Sequence, residues 1–446
     1  MRPEIRIEFD PHREMEPVGL PLSKSVALRV MTLNAVASRL SGAVAIIPEL
    51  PDAEDVKGMM RAMTYYDRAV KCLPAISTSD NSTSDEEQGD KIRNYRVNIG
   101  EGGAPFRFFT ALAASTPGID LTLLTSKPLI RRPHAILLDT LREAGADIRS
   151  LRRPGRPPLR IIGRKLAPSS LTMDPGISSQ YISALMMAAP LWEHGLTLDF
   201  NGEQPVSLPY LRMTADAMRR FGCEVEMADE SIRIAPGICC PPDKFEIPTD
   251  WSAASYFYEL ALLLPGREIP LSDLTVASDS MQGDADCQHI FGKLGVETLY
   301  NSDGSARLRY SDTAMSGQTI ELNLNGTPDL APALAVGFCL AGVRFRFVGV
   351  AHLRHKETDR MAALACELRK LGYVLFTSDE EMGWNGECCQ ADSHPLIFTY
   401  SDHRMAMAFA PAAIRFPGLR IERPAVVGKS FPRYWEMLRR LGFNIE

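Results

Sequence analysis

Hydrophobic positions along the chain form two kinds of helical segment that alternate. Segments of the first kind consist mostly of small apolar residues and carry few charges. They are VALRVMTLNAVA, FRFFTALAAS, SSQYISALMMAAPL, SAASYFYELALLL, DLAPALAVGFCLA and RMAMAFAPAAI. A helix that is apolar on most of its faces is buried on most of its faces. The pattern therefore predicts six buried helices.

Segments of the second kind are amphipathic, and five of them end in a glycine that precedes a short strand pattern. The glycines stand 70 to 77 residues apart, at Gly145, Gly222, Gly295, Gly372 and Gly442. A glycine just past a helix takes a left-handed conformation that ends the helix. The segment from Val56 to Val70 has the same helical period without the glycine, which predicts a degenerate sixth copy.

The six copies predict a repeated unit with one buried helix, one amphipathic helix and several short strands. At 446 residues the chain is too long for one ordinary core, so two domains of three copies each are expected. The period is longer than in common solenoid repeats, and each unit mixes strands with helices. A compact α/β fold is therefore favoured over an open array.

Composition excludes several classes of protein. With 45% hydrophobic and 23% charged residues, the chain is typical of soluble globular proteins. A net charge of -6 argues against nucleic-acid binding, and no apolar run reaches the roughly 18 residues of a membrane span. The nine cysteines show no CxxC spacing and are expected to be reduced in a cytoplasmic protein. Ser77–Lys91 is polar and acidic and predicts a surface loop, and Arg152–Pro158 predicts a turn-rich connection.

Basic motifs stand at the starts of the predicted buried helices or on the turns before them. Their residues are Lys24, Ser25 and Arg29 in LSKSVALR, Gly103 and Arg107 in GEGGAPFR, Arg131 and Arg132 in RRP, Lys356 and Arg360 in HKETDR, Arg404 in SDHR, and Lys429 in GKSFPRYW. Helix N-termini and arginine side chains both favour anions. So many cations in an acidic protein indicate a site for small substrates with several negative charges.

Polar and acidic residues add possible chemistry, and each has a plainer interpretation. Ser178, Ser179 and Gln180 begin a buried helix, where they supply donors to a ligand or form an ordinary N-cap. Glu357 lies inside the HKETDR motif. Asp329 and Asp250 each precede a helix pattern, where the helix-cap interpretation is favoured over that of a site acid.

The chain resembles the 5-enolpyruvylshikimate-3-phosphate (EPSP) synthase family from LSKS near its start to GKSFPRYW near its end. SSQ before a small-apolar helix, KETDR and DHRMAM occur in that order and form a specific set. The resemblance implies two similar globular domains, each made of three βαβαββ units, with substrates bound in the cleft between them. The expected domains are residues 1–22 with 248–446, and residues 23–247. The resemblance further implies that the chain needs no cofactor and no metal.

The resemblance also implies the reaction and the residues that perform it. The enolpyruvyl group of phosphoenolpyruvate passes to the 5-hydroxyl of shikimate 3-phosphate, and phosphate is released, in aromatic amino acid biosynthesis. Asp329 is the expected base, Glu357 exchanges the proton at C3, and Lys24 assists the departing phosphate. The residues expected to hold phosphoenolpyruvate are Lys24, Arg132, Arg360, Arg404 and Lys429, with Gly103 and Arg107 in the neighbouring loop. Those expected to hold shikimate 3-phosphate are Ser25, Arg29, Ser178, Ser179, Gln180, Ser207, Tyr210 and Lys356. These two small molecules are the only expected partners of a cytoplasmic monomer.

One loop departs from the family pattern. The family usually has Asn-Ala-Gly-Thr-Ala-Met-Arg where this chain has the seven residues Glu101 to Arg107. A carboxylate at Glu101 repels a nearby anion, Ala104 lacks the usual hydroxyl, and Pro105 removes an N–H donor. The hypothesis that follows is that mimics of phosphoenolpyruvate, such as glyphosate, bind differently to this chain.

Two other functions remain open at this point. A related enolpyruvyl transferase acts on the nucleotide sugar UDP-N-acetylglucosamine and carries a cysteine on a mobile loop. No cysteine lies between Cys72 and Cys223 here, and KETDR favours the shikimate branch. A non-catalytic descendant that only binds polyanions is supported by the altered loop and opposed by the retained Lys24, Asp329 and Glu357.

Overall fold

A computed structural model describes residues 3–71, 95–132, 134–311 and 318–446. The polar insertion predicted at Ser77–Lys91 lies outside these residues. The chain divides into two compact units, one formed by Met1–Ser23 with Pro248–Glu446 and the other by Lys24–Ile247. They are called the split unit and the central unit below.

The described residues contain thirteen α-helices. They are α1 (Lys24–Ser41), α2 (Glu54–Lys71), α3 (Gly103–Ala114), α4 (Lys127–Arg131), α5 (Ala135–Glu143), α6 (Ser179–Ala188), α7 (Leu208–Arg220), α8 (Trp251–Leu263), α9 (Cys287–Gly292), α10 (Ala331–Leu340), α11 (Arg360–Lys370), α12 (His403–Phe409) and α13 (Tyr434–Arg440). Short 3₁₀ helices, including Pro328–Leu330, Ala351–His355 and Pro424–Lys429, connect some of them.

The same residues contain nineteen short strands. They are β1 (Glu4–Phe9), β2 (Tyr95–Asn98), β3 (Asp120–Leu124), β4 (Asp147–Ser150), β5 (Leu159–Ile162), β6 (Ser170–Thr172), β7 (Leu196–Asp199), β8 (Val225–Met227), β9 (Ser231–Ile234), β10 (Glu268–Leu271), β11 (Val296–Tyr300), β12 (Ala306–Tyr310), β13 (Ile320–Asn323), β14 (Phe345–Val348), β15 (Phe376–Thr377), β16 (Glu381–Trp384), β17 (Leu396–Ile397), β18 (Leu419–Glu422) and β19 (Phe443–Ile445).

The sheets of the central unit repeat one topology. One sheet has the order β2-β3-β5-β4 and the next has the order β6-β7-β9-β8. In each, the first two strands are parallel and the remaining pairs are antiparallel. The chain therefore follows a strand–helix–strand–helix–strand–strand path, which is the βαβαββ unit. The third copy holds α1 and α2, and the helical prediction for Val56 to Val70 is confirmed by α2.

The split unit uses the N-terminal segment to complete sheets that belong to the second half of the chain. The order β13-β14-β16-β15 repeats the topology of the central unit, and β17-β18-β1-β19 does so with β1 supplied from the N-terminus. Ile7 of β1 pairs with Leu419 on one side and with Ile445 on the other. In the third sheet, β10-β12-β11, Val18 forms a parallel bridge to Leu271 of β10. The α/β fold expected from the sequence is thus confirmed.

The predicted buried helices form the centre of each unit. In the split unit, α8, α10 and α12 are buried along their whole lengths. In the central unit, α3 and α6 are buried at nearly every position and pack against each other. Each fully buried Leu or Phe side chain contributes about 1.5–3 kcal/mol through removal of apolar surface from water. No helix in the described ranges is long and apolar enough to span a bilayer.

The glycines that end the amphipathic helices adopt the conformation that their positions predict. Gly145, Gly295, Gly372 and Gly442 have φ between 91° and 96°, and Gly222 has a φ of 70°. Residues with a Cβ rarely take these angles, so the glycine sets where each helix ends. The repeat predicted from the sequence is confirmed at all five positions.

Candidate active site

In the split unit, one buried arginine gathers three carboxylates. Arg360 is the first residue of α11 and its side chain is 1% exposed. Its Nε lies 2.8 Å from Oδ2 of Asp402, its Nη1 lies 2.8 Å from Oδ1 of Asp329, and its Nη2 lies 3.1 Å from Oε2 of Glu357. Burial opposes the charge of Arg360, but the three acids outweigh burial and raise its pKa. Asp329 and Glu357, the two acids expected from the sequence, are therefore both bonded to Arg360.

Asp329 bonds to basic side chains instead of capping a helix, so the cap interpretation favoured by the sequence is wrong. It lies in the 3₁₀ helix Pro328–Leu330, where no side chain forms a cap. Its Oδ2 accepts from Nη2 of Arg404 at 2.7 Å, and Nζ of Lys356 lies 3.6 Å from its Oδ1. Burial alone raises the pKa of Asp329, but the charges of Arg404, Lys356 and Arg360 outweigh it and hold the pKa well below its usual value. Three cations thus compete for the carboxylate of Asp329.

Glu357 is bonded to two basic side chains of the expected site. Nζ of Lys429 lies 2.5 Å from Oε1 of Glu357, while Nη2 of Arg360 approaches its Oε2. Lys429 ends the 3₁₀ helix Pro424–Lys429, and the side chains of Lys429 and Glu357 remain 14% and 18% exposed. This carboxylate is thus held by two cations at a place that a small ligand can reach.

Asp402 joins the candidate site through Arg360, and its place there could not be predicted from the sequence. It is fully buried, it caps α12 by accepting from the backbone N–H of Arg404 at 3.0 Å, and it also bonds to Arg360. The SDHR motif drew attention to its arginine, while an aspartate before a helix is ordinarily only a cap. One side chain thus orients both Arg360 and the start of the helix that carries Arg404.

A further buried acid, Asp284, interacts electrostatically with Asp329 and Arg404. It is 1% exposed and accepts a hydrogen bond from Oγ of Ser252 in the first turn of α8. Burial and the negative charge of Asp329 raise the pKa of Asp284 to about 6, while Arg404 opposes the shift. At the same helix end, Asp250 accepts from the N–H groups of Ser252 and Ala253, so the cap predicted for Asp250 is confirmed.

In the central unit, Lys24 forms an ion pair that the sequence did not reveal. Lys24 begins α1, and its Nζ lies 2.9 Å from Oδ2 of Asp55 in the first turn of α2. The Asp55 side chain is only 6% exposed. Acids are common in the first turn of a helix, so Asp55 gave no separate signal. A Cβ on Gly102 would lie 2.7 Å from Oδ1 of Asp55, which places the glycine-rich turn directly beside this pair.

Gly103 begins α3 at a point where two arginines meet. A Cβ at Gly103 would lie 2.5 Å from Nη1 of Arg107 and 3.0 Å from Nη1 of Arg132. Arg107 donates to Oε1 of Gln180 at 2.6 Å and lies over the ring of Tyr181. Four residues expected at the phosphoenolpyruvate loop and at SSQ are therefore neighbours. Glu101, two positions before Gly103, is exposed.

Arg29 connects two residues that the resemblance assigns to shikimate 3-phosphate. Its Nη1 donates to the carbonyl of Ser25 at 2.9 Å, and its Nη2 lies 3.3 Å from the carbonyl of Tyr210. Its Nε donates to Oγ1 of Thr214 at 2.7 Å. Burial lowers the pKa of Arg29 to about 10, because its cation is far from water. Its position thus fixes α1 against the start of α7.

The serines expected at the site lie at the starts of two helices. Ser178 caps α6 by accepting from the N–H of Gln180 at 3.4 Å, which confirms the N-cap interpretation, and Ser179 begins the helix. Ser207 precedes α7 with a left-handed φ of 57°, and both Ser179 and Ser207 are buried. Non-glycine residues seldom take such angles outside turns and functional sites.

Known proteins resemble this chain over nearly its whole length. A family model described as EPSP synthase (3-phosphoshikimate 1-carboxyvinyltransferase) matches residues 15–438. A 3-phosphoshikimate 1-carboxyvinyltransferase of Bacteroides fragilis is 39% identical over 433 residues, covering 96% of each chain. One from Vibrio atlanticus is 31% identical over 440 residues, covering 95% of this chain and 96% of the relative.

Solved structures show the same fold at lower identity. The EPSP synthase of Acinetobacter baumannii aligns with a TM-score of 0.71 at 20% identity and covers 99% of both chains. The enolpyruvyl transferase NikO of Streptomyces tendae aligns with a TM-score of 0.66 at 16% identity, covering 99% of this chain and 98% of that one. The family match over nearly the whole chain and the identity to its members lead to one conclusion: this protein belongs to the EPSP synthase family.

Proposed function

We propose that this chain transfers the enolpyruvyl group of phosphoenolpyruvate to the 5-hydroxyl of shikimate 3-phosphate and releases phosphate. The proposal makes it a 3-phosphoshikimate 1-carboxyvinyltransferase of aromatic amino acid biosynthesis. Both substrates are small polyanions, as the basic motifs at the helix starts suggest. The family match and the retained motifs support this activity over transfer to a nucleotide sugar.

One observation carries the proposal: the two acids expected to move protons are bonded to the cations expected to bind phosphoenolpyruvate. Asp329 bonds to Arg360 and Arg404, and Glu357 bonds to Arg360 and Lys429. An arriving carboxylate or phosphate competes for the same guanidinium and ammonium groups. As these charges turn to the substrate, the pKa of Asp329 rises towards its usual value and the carboxylate becomes a better base. Substrate binding itself thus activates the acids.

The chemistry then proceeds in two steps. In the first, the 5-hydroxyl oxygen forms a bond to C2 of phosphoenolpyruvate, Asp329 takes the hydroxyl proton, and Glu357, once its cations have turned to the substrate and it is protonated, gives that proton to C3. In the second, the C2–O bond to phosphate breaks, the departing phosphate takes up the proton that Asp329 received, and C3 returns its proton to Glu357, which restores the double bond. Carboxylates near C2 stabilise its oxocarbenium-like charge, and Lys24 stabilises the departing phosphate.

The central unit supplies the remaining contacts of the proposal. Arg132 takes part in holding phosphoenolpyruvate beside Gly103 and Arg107. Ser178, Ser179, Gln180, Ser207, Tyr210 and Ser25 bind shikimate 3-phosphate, together with Arg29 and with Lys356 of the split unit. Each substrate is therefore assigned residues from both units. We accordingly propose that ligand binding compacts the protein, and a radius of gyration that is unchanged on adding both ligands, measured by small-angle scattering, would contradict it.

The molecule that accepts the enolpyruvyl group distinguishes the possible activities most directly. Phosphoenolpyruvate is incubated with shikimate 3-phosphate or with UDP-N-acetylglucosamine, and mass spectrometry detects the enolpyruvyl product. We expect the product with shikimate 3-phosphate alone. A product with the nucleotide sugar would show the related transferase activity, and binding of both ligands without any product would show a non-catalytic binder.

We also propose that the enzyme acts as a cytoplasmic monomer. The eight cysteines among the described residues are free thiols, which suits a reducing compartment. Each unit also has its own buried core, so folding of either needs no second copy. Size-exclusion chromatography with light scattering tests the monomer, and a mass near twice 49.3 kDa would contradict it.

A further inference from the structure

His134 is a fully buried residue that lies behind the glycine-rich loop. Its side chain has no exposed surface. Nε2 lies 3.0 Å from the carbonyl oxygen of Leu129 in α4, and the imidazole ring packs against the ring of Phe106 in α3 with centroids 4.5 Å apart. The side chain thus joins two helices that are separate in sequence.

The two helices that His134 joins carry the arginines next to Gly103. Arg107 lies on α3, while Arg132 follows the last residue of α4. The carbonyl of Leu129 also accepts the backbone N–H of Arg132 at 3.1 Å. One carbonyl oxygen, which has two lone pairs, therefore holds both the backbone of Arg132 and the ring of His134. Movement of that ring shifts the residue expected to bind phosphoenolpyruvate.

The charge state of His134 fits a role in positioning neighbouring residues and not a role in proton transfer. Burial and the nearby positive charge of Arg107 lower its pKa to about 3, so the ring stays neutral at working pH. A carbonyl can only accept, so Nε2 carries the proton. Nδ1 has no hydrogen-bond partner among the described residues. Because the ring is neutral, it adds no third positive charge beside Arg107 and Arg132. It also transfers no proton to or from a substrate.

We infer that His134 is a positioning residue for phosphoenolpyruvate, because it clamps the turn bearing Arg132 against the first turn of α3. The inference rests on the proposed function, in which Arg132 binds that substrate. It assigns no contact with either substrate to His134. Loss of the clamp moves Arg132 away from Gly103 and Arg107, and it leaves the residues assigned to shikimate 3-phosphate in place.

Steady-state kinetics of two variants test the clamp. His134→Leu fills a similar volume and cannot donate a hydrogen bond, whereas His134→Gln places an amide donor at nearly the reach of Nε2. We expect His134→Leu to raise the KM for phosphoenolpyruvate about 5- to 10-fold, with the KM for shikimate 3-phosphate within about twofold of wild type. His134→Gln should recover most of the loss. The exposed His194 gives the matched control, because His194→Leu makes the same change on the same unit.

Three outcomes would overturn the inference: an unchanged KM for phosphoenolpyruvate in His134→Leu, an equal rise in both KM values, or no recovery in His134→Gln. Thermal melts accompany each assay. If His134→Leu does not fold, His134→Met, which is equally unable to donate, decides by the same criteria. Wild-type turnover is measured in parallel. Absence of any reaction in wild type would refute the proposed function, whereas the three outcomes above, obtained with an active wild type, would refute only the clamp.

Discussion

Nη2 of Arg404 lies 2.7 Å from Oδ2 of Asp329, so an expected substrate cation and the expected base are bonded to each other. The same relationship holds between Lys429 and Glu357 at 2.5 Å. Charge-assisted pairs of this kind are stable until a competing anion arrives. We propose that these pairs hold both acids in a low-reactivity state until the substrates compete for Arg404 and Lys429.

Asp329→Asn tests the role of that acid. The amide cannot take the proton of the 5-hydroxyl, so we expect kcat to fall about 10²- to 10⁴-fold. Binding of phosphoenolpyruvate should not weaken, because Arg360 and Arg404 lose a competing carboxylate. The measurement is phosphate release at saturating substrates together with the KM for each. Asp279→Asn, an exposed site in the same unit, serves as control. A variant that keeps wild-type kcat would exclude Asp329 as the base.

Asp55→Asn tests the ion pair with Lys24. Oδ2 of Asp55 lies 2.9 Å from Nζ of Lys24 and orients it. We expect kcat to fall about tenfold, since a misplaced ammonium stabilises the departing phosphate less well. Asp52→Asn is the matched control, because Asp52 is 69% exposed and pairs with Lys57 outside the expected site. Equal kcat values for Asp55→Asn and Asp52→Asn would show that the pair is only structural.

The loop from Glu101 to Arg107, which departs from the family pattern, predicts altered inhibition by glyphosate. The double variant Glu101→Asn with Ala104→Thr removes a negative charge and restores a hydroxyl beside Gly103. We expect the KM for phosphoenolpyruvate to fall about fivefold and glyphosate to inhibit at lower concentration, because a like charge nearby costs about 1 kcal/mol. Dose–response curves provide the measurement, with the exposed Glu143→Gln as control. Inhibition that does not change in the double variant would remove the hypothesis.

Asp284 predicts a specific dependence of stability on pH. Burial and the charge of Asp329 raise the pKa of Asp284 to about 6, from an ordinary value of 3.8, while Arg404 opposes and Asp250 adds to the shift. The folded state therefore binds this proton more tightly than the unfolded chain. Its stabilising contribution is complete below about pH 4 and is lost as the pH rises through about 6.

Asp284→Asn removes this dependence because the amide stays neutral. Relative to wild type, the free energy of unfolding of the variant should gain about 2 kcal/mol between pH 4 and pH 7. Urea unfolding at four pH values measures the difference, and Asp279→Asn controls for loss of an exposed acid. A difference between variant and wild type that is the same at pH 4 and pH 7 would show that folding does not raise the pKa of Asp284.

Much of the fold could be predicted because its signals are local. Residues such as Gly145 and Gly442 end helices through their own backbone freedom, and the small-apolar segments could be stable only as buried helices. The pairing of β1 with β18 and β19 could not be predicted from pattern, since it joins residues more than 400 positions apart. The 3₁₀ helix Ala351–His355 between β14 and the HKETDR helix also gave no signal.

The candidate site was predictable where a motif concentrates charge and not where the partner is distant in sequence. Arg360 and Glu357 stand in one motif, so their proximity was expected. Asp402 and Asp55 look like ordinary acids at helix starts, and only the folded chain brings them to Arg360 and Lys24. The residue pattern alone favours a cap at Asp329 for the same reason, and only the family resemblance predicts it as the base. His134 likewise has no neighbour in sequence that reveals its contact with Phe106.

The measurement that tests the account most directly is phosphate release by the purified chain. It receives phosphoenolpyruvate with shikimate 3-phosphate, then each substrate alone, and Glu357→Gln is assayed in parallel. The account predicts release that requires both substrates and falls by at least about 10²-fold in Glu357→Gln, because the proton at C3 can then no longer be exchanged. Release from phosphoenolpyruvate alone, or equal rates in the variant and wild type, would contradict it.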